Sequence, residues 1–251
     1  MRSLVLVLAL CACGGGGSPK AGDSVRAGTG NGERGTETAA ASAKQQAGSP
    51  GSQSPVPPSR KTVLMVGTSL TAGLGLDPEE AYPALLQRKA DSAGYHVEIV
   101  NAGLSGETSA GALRRMDWLL RGPADVVVIE TGANDGLRGL DVDSTRANLR
   151  AIVAKVKAAR PGARIVLAQM EAPPNLGAKY TAAFSAMYQD VAREEGVSVM
   201  PFLLRGVAGV TGLNQPDGIH PNERGEQIVA NNVWETLGPL LQQLDATTTG
   251  G

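Results

Sequence analysis

Only two histidines occur in these 251 residues, so a reaction that needs a neutral base near physiological pH has two candidates. His220 stands in Asp217-Gly218-Ile219-His220-Pro221, a turn-rich stretch with a carboxylate three residues before the imidazole. Imidazole titrates near neutrality, and a nearby carboxylate can fix its orientation for proton transfer. His96 lies in Tyr95-His96-Val97-Glu98-Ile99-Val100, whose alternation reads as a strand and gives it a structural place. An Asp or His beside Gly and Pro also serves as a turn or helix cap, so the pair by itself leaves both readings open.

The matching nucleophile is Ser69. Residues 62 to 66, Thr-Val-Leu-Met-Val, form a short apolar run that ends in Gly67-Thr68-Ser69-Leu70, a buried strand entering a tight turn. Ligands of open parallel sheets bind at the carboxyl ends of strands, where Ser69 would stand, although a serine there can equally cap a helix. Two more runs end in the same way. Val97 to Val100 leads into Asn101-Ala102-Gly103-Leu104-Ser105-Gly106-Glu107-Thr108, and residues 124 to 131 lead into Gly132-Ala133-Asn134-Asp135-Gly136. Gly103 would offer an unobstructed backbone N–H and Asn134 a neutral amide. With the N–H of Ser69 they could hold the oxyanion of an acyl transfer, worth about 2.7–4 kcal/mol per donor. Gly and Asn are also ordinary turn residues.

Taken in order, Gly-Thr-Ser69-Leu, the segment around Gly103, Gly-Ala-Asn134-Asp-Gly-Leu-Arg-Gly, and Asp217 with His220 resemble the four blocks of the SGNH, or GDSL-type, hydrolases. Leu70 to Leu76, Gly132 to Leu140 and Asp217 to Asn222 are similar to the branch that contains bacterial thioesterase I / protease I / lysophospholipase L1 and related arylesterases. The resemblance spans residues 61 to 244. It implies Ser69 as nucleophile, His220 as general base and Asp217 as its orienting carboxylate, with Ser69, Gly103 and Asn134 as oxyanion-hole donors. It implies a flavodoxin-like three-layer α/β/α sandwich with a five-stranded parallel sheet in the order 2-1-3-4-5. It further implies a cofactor-free serine esterase acting on acyl esters or thioesters, of lysophospholipase, arylesterase or thioesterase type. A carbohydrate O-acetylesterase of the same fold and a non-catalytic lipid- or glycan-binding lipoprotein are the alternatives. One position departs from the pattern: Thr68 replaces the usual Asp before the nucleophile, keeping an oxygen but no charge. Glu130 and Asp135 are carboxylates near the site, and loop hydrogen bonding or capping accounts for them better than chemistry does.

Apolar residues beside these motifs, Leu70, Leu104, Leu137, Leu140 and Ile219, read either as the lining of an acyl groove or as packing under loops. Leu74, Leu76 and the Met170–Pro174 segment read the same way. By resemblance, residues 137 to 142 match a mobile loop over the acyl chain.

These parts need a scaffold. Strand patterns at 62–67, 96–101, 124–131, 163–169 and 197–200 alternate with helical spacing at 78–93, 113–120, 144–159, 180–195 and 222–244, which argues a parallel α/β sheet covered on both faces. The roughly 185 residues from 61 to 245 suit one domain. Residues 1–13 pair an arginine with a short apolar run, Leu4 to Leu10, too short to span a bilayer and suited to a secretory signal. Leu10-Cys11-Ala12-Cys13 resembles a lipobox, with Cys13 as the residue acylated. Residues 14–60 lack Leu, Ile, Met, Phe, Tyr and Trp and read as a disordered tether, and 246–251 as a disordered tail. Both cysteines lie in the leader, which leaves the domain without a disulfide or a cysteine metal site, and no metal is expected. A net charge of −1 argues against nucleic acid as a partner. The expected protein is a monomer, lipid-anchored on the extracytoplasmic side of the cell envelope, acting on a small acyl ester or lysophospholipid.

Overall fold

The computed structural model describes residues 60–249; the leader with Cys13 and nearly all of the tether lie outside the described residues. Five parallel strands form one sheet: β1 (Lys61–Gly67), β2 (Val97–Gly103), β3 (Val126–Ile129), β4 (Arg164–Ala168) and β5 (Ser198–Met200), in the order β2-β1-β3-β4-β5. Seven helices accompany them: α1 (Ser69–Ala72), α2 (Tyr82–Ser92), α3 (Ser109–Leu119), α4 (Ala133–Leu137), α5 (Val142–Ala159), α6 (Ala178–Glu195) and α7 (Glu223–Thr249). This is the α/β architecture and strand order expected.

The central strands β1 and β3 are unbroken apolar runs buried on both faces, as a parallel sheet between helical layers requires. Right-handed crossovers then dictate where the helices go. The chain moves one way from β1 to β2 and the other way from β2 through β5, so α2 takes one face and α3, α5 and α6 the other. α7 returns to pack on α2, while α3, α5 and α6 pack in series. Strands β2 and β5 form the edges and are partly exposed. The open side of β2 is closed by Gln87 of α2, whose Oε1 accepts the Ile99 N–H at 2.7 Å and whose Nε2 donates to the Val97 carbonyl at 3.1 Å. A side-chain amide thus satisfies edge groups that would otherwise template association.

Several boundaries differ from the pattern reading, each for a tertiary reason. β2 continues to Gly103 because Met65, Val66 and Gly67 of β1 pair with Asn101, Ala102 and Gly103. α3 starts at Ser109, ahead of its apolar periodicity, because the buried Asp135 carboxylate accepts the Ser109 N–H at 2.8 Å and its hydroxyl at 2.6 Å. α7 runs to Thr249 rather than stopping at Leu244, so residues 246–249 are helical rather than a tail. No helix breaker intervenes before Gly250, and Ala246 favours propagation.

Candidate active site

The order of the sheet reverses at β1, which opens a crevice between the loops that leave the carboxyl ends of β1 and β3. Ser69 is the first residue of α1, directly after β1. Gly67 and Gly103 end their strands side by side. At Gly103 a Cβ would collide with the backbone of Ala72, so only glycine lets the Ser69 turn rest on the end of β2. Two further bonds fix that contact: Leu104 N–H to the Gly67 carbonyl at 2.9 Å, and Asn101 Nδ2 to the Thr71 carbonyl at 2.8 Å.

The other half of the site is the loop before α7. Asn214 and Pro221 form an antiparallel bridge, and the Gln215 N–H donates to the His220 carbonyl at 2.7 Å. Inside this closed loop, Asp217 Oδ1 accepts the N–H groups of Ile219 at 2.9 Å and His220 at 3.0 Å. Asp217 Oδ2 lies 2.6 Å from His220 Nδ1, and His220 Nε2 lies 2.8 Å from Ser69 Oγ. The bond to the His220 ring, followed by those backbone N–H groups, pulls the Asp217 carboxyl down to about 2. It is therefore a carboxylate throughout the neutral range, which assigns the imidazole proton to Nδ1 and leaves Nε2 to accept from Ser69. Gln215 ties the two halves together, donating from Nε2 to the carbonyls of Leu74 at 2.7 Å and Pro221 at 2.9 Å. His96 is exposed just before β2, at the opposite end of that strand.

The oxyanion donors need a correction. The Gly103 N–H donates to Asn101 Oδ1 at 2.9 Å, so it braces its own loop and is not free for a substrate. Asn134 gives one amide hydrogen to the Glu107 carbonyl at 3.0 Å and keeps the other. That contact sets it beside Gly106, which turns the chain with φ +77°. Among the described residues, neither the Gly106 N–H nor the Ser69 N–H meets an acceptor. The free donors are thus those of Ser69, Asn134 and Gly106. Glu107 is in turn clamped by Arg115, whose Nη2 stands 2.7 Å from its carboxylate and also donates to the Gly67 carbonyl at 3.1 Å. Arg115, Gln215 and Gly106 were not read from the sequence; the only signal for Gly106 was its place in the same glycine-rich segment.

A cavity of 330 Å³ opens beside this centre, lined by Leu70, Leu137 and Ile219 together with Met170, Phe202 and Leu204. Four of the expected lining residues are elsewhere, Leu74 and Leu76 among them. Leu104 follows the edge strand and faces a separate groove along β2 and α3 that it shares with Trp118. Leu140 lies beyond α4, exposed, where its carbonyl accepts the Tyr180 hydroxyl at 2.6 Å. The Met170–Pro174 segment does line the cavity.

Behind Ser69, Thr68 contacts Glu130, which is fully buried, and burial pushes the Glu130 carboxyl up to about 7. Burial likewise pushes Glu226, whose Oε2 accepts the Tyr82 N–H at 2.8 Å, up to about 8. Both carboxyls hold protons in the folded protein that they would release on unfolding, from the ordinary carboxylate range near 4.5 upward. Stability therefore falls as pH rises through that window to about 8. The opposite contribution of Asp217 is lost only below its ordinary value near 3.8, outside the window. Thermal melts should show Tm dropping by on the order of 5 °C between about pH 5 and pH 8. Glu226→Gln should flatten that slope; a Tm that rises across the window would contradict the assignment.

The model of the GDSL-like lipase/acylhydrolase family matches residues 65–228. Esterase TesA of Pseudomonas aeruginosa is 45% identical over 183 residues, spanning 72% of this chain and 90% of that protein. Thioesterase 1/protease 1/lysophospholipase L1 of Escherichia coli is 39% identical over 181 residues, spanning 72% and 85% respectively. Among solved structures, the psychrotrophic esterase EstA from Pseudoalteromonas, inhibited by monoethylphosphonate, superposes with a TM-score of 0.68 at 37% identity over 72% of this chain and 99% of its own.

Proposed function

The chain belongs to the GDSL-like lipase/acylhydrolase family and is an ester-hydrolysing enzyme, and from that premise we propose that it works through an acyl intermediate on Ser69. The observation that carries this reading is the unbroken relay from Ser69 Oγ to His220 Nε2 at 2.8 Å and from His220 Nδ1 to Asp217 at 2.6 Å. Ser69 Oγ attacks the acyl carbonyl carbon while Nε2 takes its proton, and the carbonyl π pair moves onto oxygen. Ser69 N–H, Asn134 Nδ2 and Gly106 N–H receive that charge. Collapse expels the alcohol or thiol, which leaves with the proton from His220. Water, deprotonated by the same nitrogen, then attacks the acyl-Ser69 carbonyl and regenerates the serine.

The substrate is an acyl ester or thioester whose chain enters the apolar cavity of Leu70, Leu137 and Ile219; names among the relatives, esterase and thioesterase 1/lysophospholipase L1, support that class. Residues 61–245 act as a monomeric hydrolase domain, held at the extracytoplasmic face of the envelope by acylated Cys13 and the 14–60 tether. Among the described residues, no helix is long and apolar enough to cross a membrane.

A series of p-nitrophenyl esters from acetyl to palmitoyl tests the substrate class. Each methylene buried contributes about 0.8 kcal/mol, roughly fourfold in kcat/KM, until the cavity is filled. Butyryl should therefore exceed acetyl by on the order of tenfold. A profile that peaks at acetyl and declines with every added carbon would replace this reading with a carbohydrate O-acetylesterase.

A further inference from the structure

The carboxylate nearest the nucleophile turn takes no part in the relay. Glu130 leaves the carboxyl end of β3 and lies under the turn after β1, fully buried. Its Oε2 accepts the Thr68 N–H at 2.7 Å and the Thr71 hydroxyl at 2.9 Å, and the Thr68 hydroxyl lies 3.0 Å from both oxygens. Thr68 and Thr71 bracket Ser69 in sequence. When Glu130 is ionised and takes the Thr71 proton, the Tyr82 hydroxyl, 2.6 Å away, is the donor to Thr71. An ionised Glu130 can thus accept from the Thr68 N–H and from both threonine hydroxyls at once.

We propose that Glu130 is a positioning residue for Ser69, one whose negative charge holds the Thr68–Thr71 turn in the geometry the relay needs and whose neutral form holds it less firmly. This rests on the serine-esterase reading above. A protonated Glu130 would have to give a hydrogen to Thr68 Oγ or Thr71 Oγ, which reverses one of those bonds and replaces charge-assisted contacts with neutral ones of about half the strength. Displacing a nucleophile by a fraction of an ångström from its base lowers the chemical step while leaving the acyl cavity unchanged.

The substitution of Thr for the family's Asp at position 68 gains a reason here. An Asp would set a second carboxylate against Glu130, and the two would have to share a proton. Thr68 supplies a hydroxyl donor instead, leaving Glu130 as the one carboxyl in the turn that can carry the charge. The groups that face it come from several elements. Tyr82 approaches from α2 through Thr71, Glu226 from α7 through the Tyr82 backbone, and Tyr188 from α6 with its hydroxyl on the Thr131 carbonyl at 2.8 Å. Arg115 of α3 reaches only the Gly67 carbonyl and is paired with Glu107. Among the described residues no cation contacts Glu130, and burial, opposed by the Thr68 and Thr71 bonds, raises it to about 7.

Glu130→Gln mimics the neutral carboxyl. Steady-state kinetics of the full chain on p-nitrophenyl butyrate, wild type against Glu130→Gln across about pH 5.5 to 9, should give a kcat ratio of about tenfold at the alkaline end. That ratio should shrink toward one as pH falls through about 7, with KM within about twofold throughout. Every group other than residue 130 is common to the two proteins, so the ratio isolates the Glu130 charge. Thr68→Ser should match wild type, whereas Thr68→Val should lose kcat in the same direction and add nothing to Glu130→Gln in the double variant. A kcat ratio of one, or a ratio constant with pH, would overturn the proposal. If the Gln variant fails to fold, equal kcat for Thr68→Ser and Thr68→Val at alkaline pH would overturn it equally. A wild-type protein with no esterase turnover would defeat the serine-esterase reading itself, a result distinct from either of these.

Discussion

Ser69→Ala and His220→Ala should each lower kcat/KM on acyl esters by at least about 10⁴-fold, and the double variant should be no worse than either. The basis is the relay geometry: a serine hydroxyl is a poor nucleophile until its proton has a destination, and His220 Nε2 at 2.8 Å is the base that Ser69 contacts. Removing either partner removes the same event, so the losses do not add. Asp217→Ala should cost less, by one to two powers of ten on the order seen when the carboxylate of such a triad is removed alone, because Asp217 acts through the imidazole it orients. Its two backbone acceptor bonds also shape the loop, so Asp217→Asn is the cleaner variant: it keeps the loop and disturbs the tautomer. Initial rates on a chromogenic butyrate ester, alongside unchanged Tm, check all five variants.

Asn134→Ala should reduce kcat by about 10²–10³-fold with KM changed only a few-fold. Asn134 carries one amide hydrogen spent on the Glu107 carbonyl at 3.0 Å and one left over. The first bond holds the turn that presents the Gly106 N–H, so truncation removes a side-chain donor and loosens a backbone donor together. Both act only once negative charge has developed on the carbonyl oxygen, which is why the loss falls on kcat rather than on substrate binding. An unchanged kcat in a folded Asn134→Ala variant would remove Asn134 from the oxyanion site.

The parts of this site that were legible in the sequence are those encoded locally. Asp217 and His220 are three residues apart in one loop, and their pairing needs no knowledge of the fold. Ser69 and Asn134 follow apolar β-branched runs whose burial on both faces is written into Thr62–Val66 and Val126–Ile129. What could not be read depends on partners far apart in the chain. Gly103 and Gly106 sit in one glycine-rich segment, and only pairing with β1 shows that the first is the end of a strand with its N–H already used. Leu104 and Leu140 are as apolar as Leu137, but which crevice each one faces is settled by the helices around it. The start of α3 at Ser109 is set by Asp135, 26 residues on, and the contact between Thr68 and Glu130 joins residues 62 apart.

The most direct test of the central claim is mass spectrometry of the peptides released after the protein reacts with a fluorophosphonate. The account predicts one adduct per chain, on the peptide carrying Ser69, absent from Ser69→Ala and strongly slowed in His220→Ala. Esterase turnover in a protein that takes the label at another residue, or in one that takes none, would contradict it.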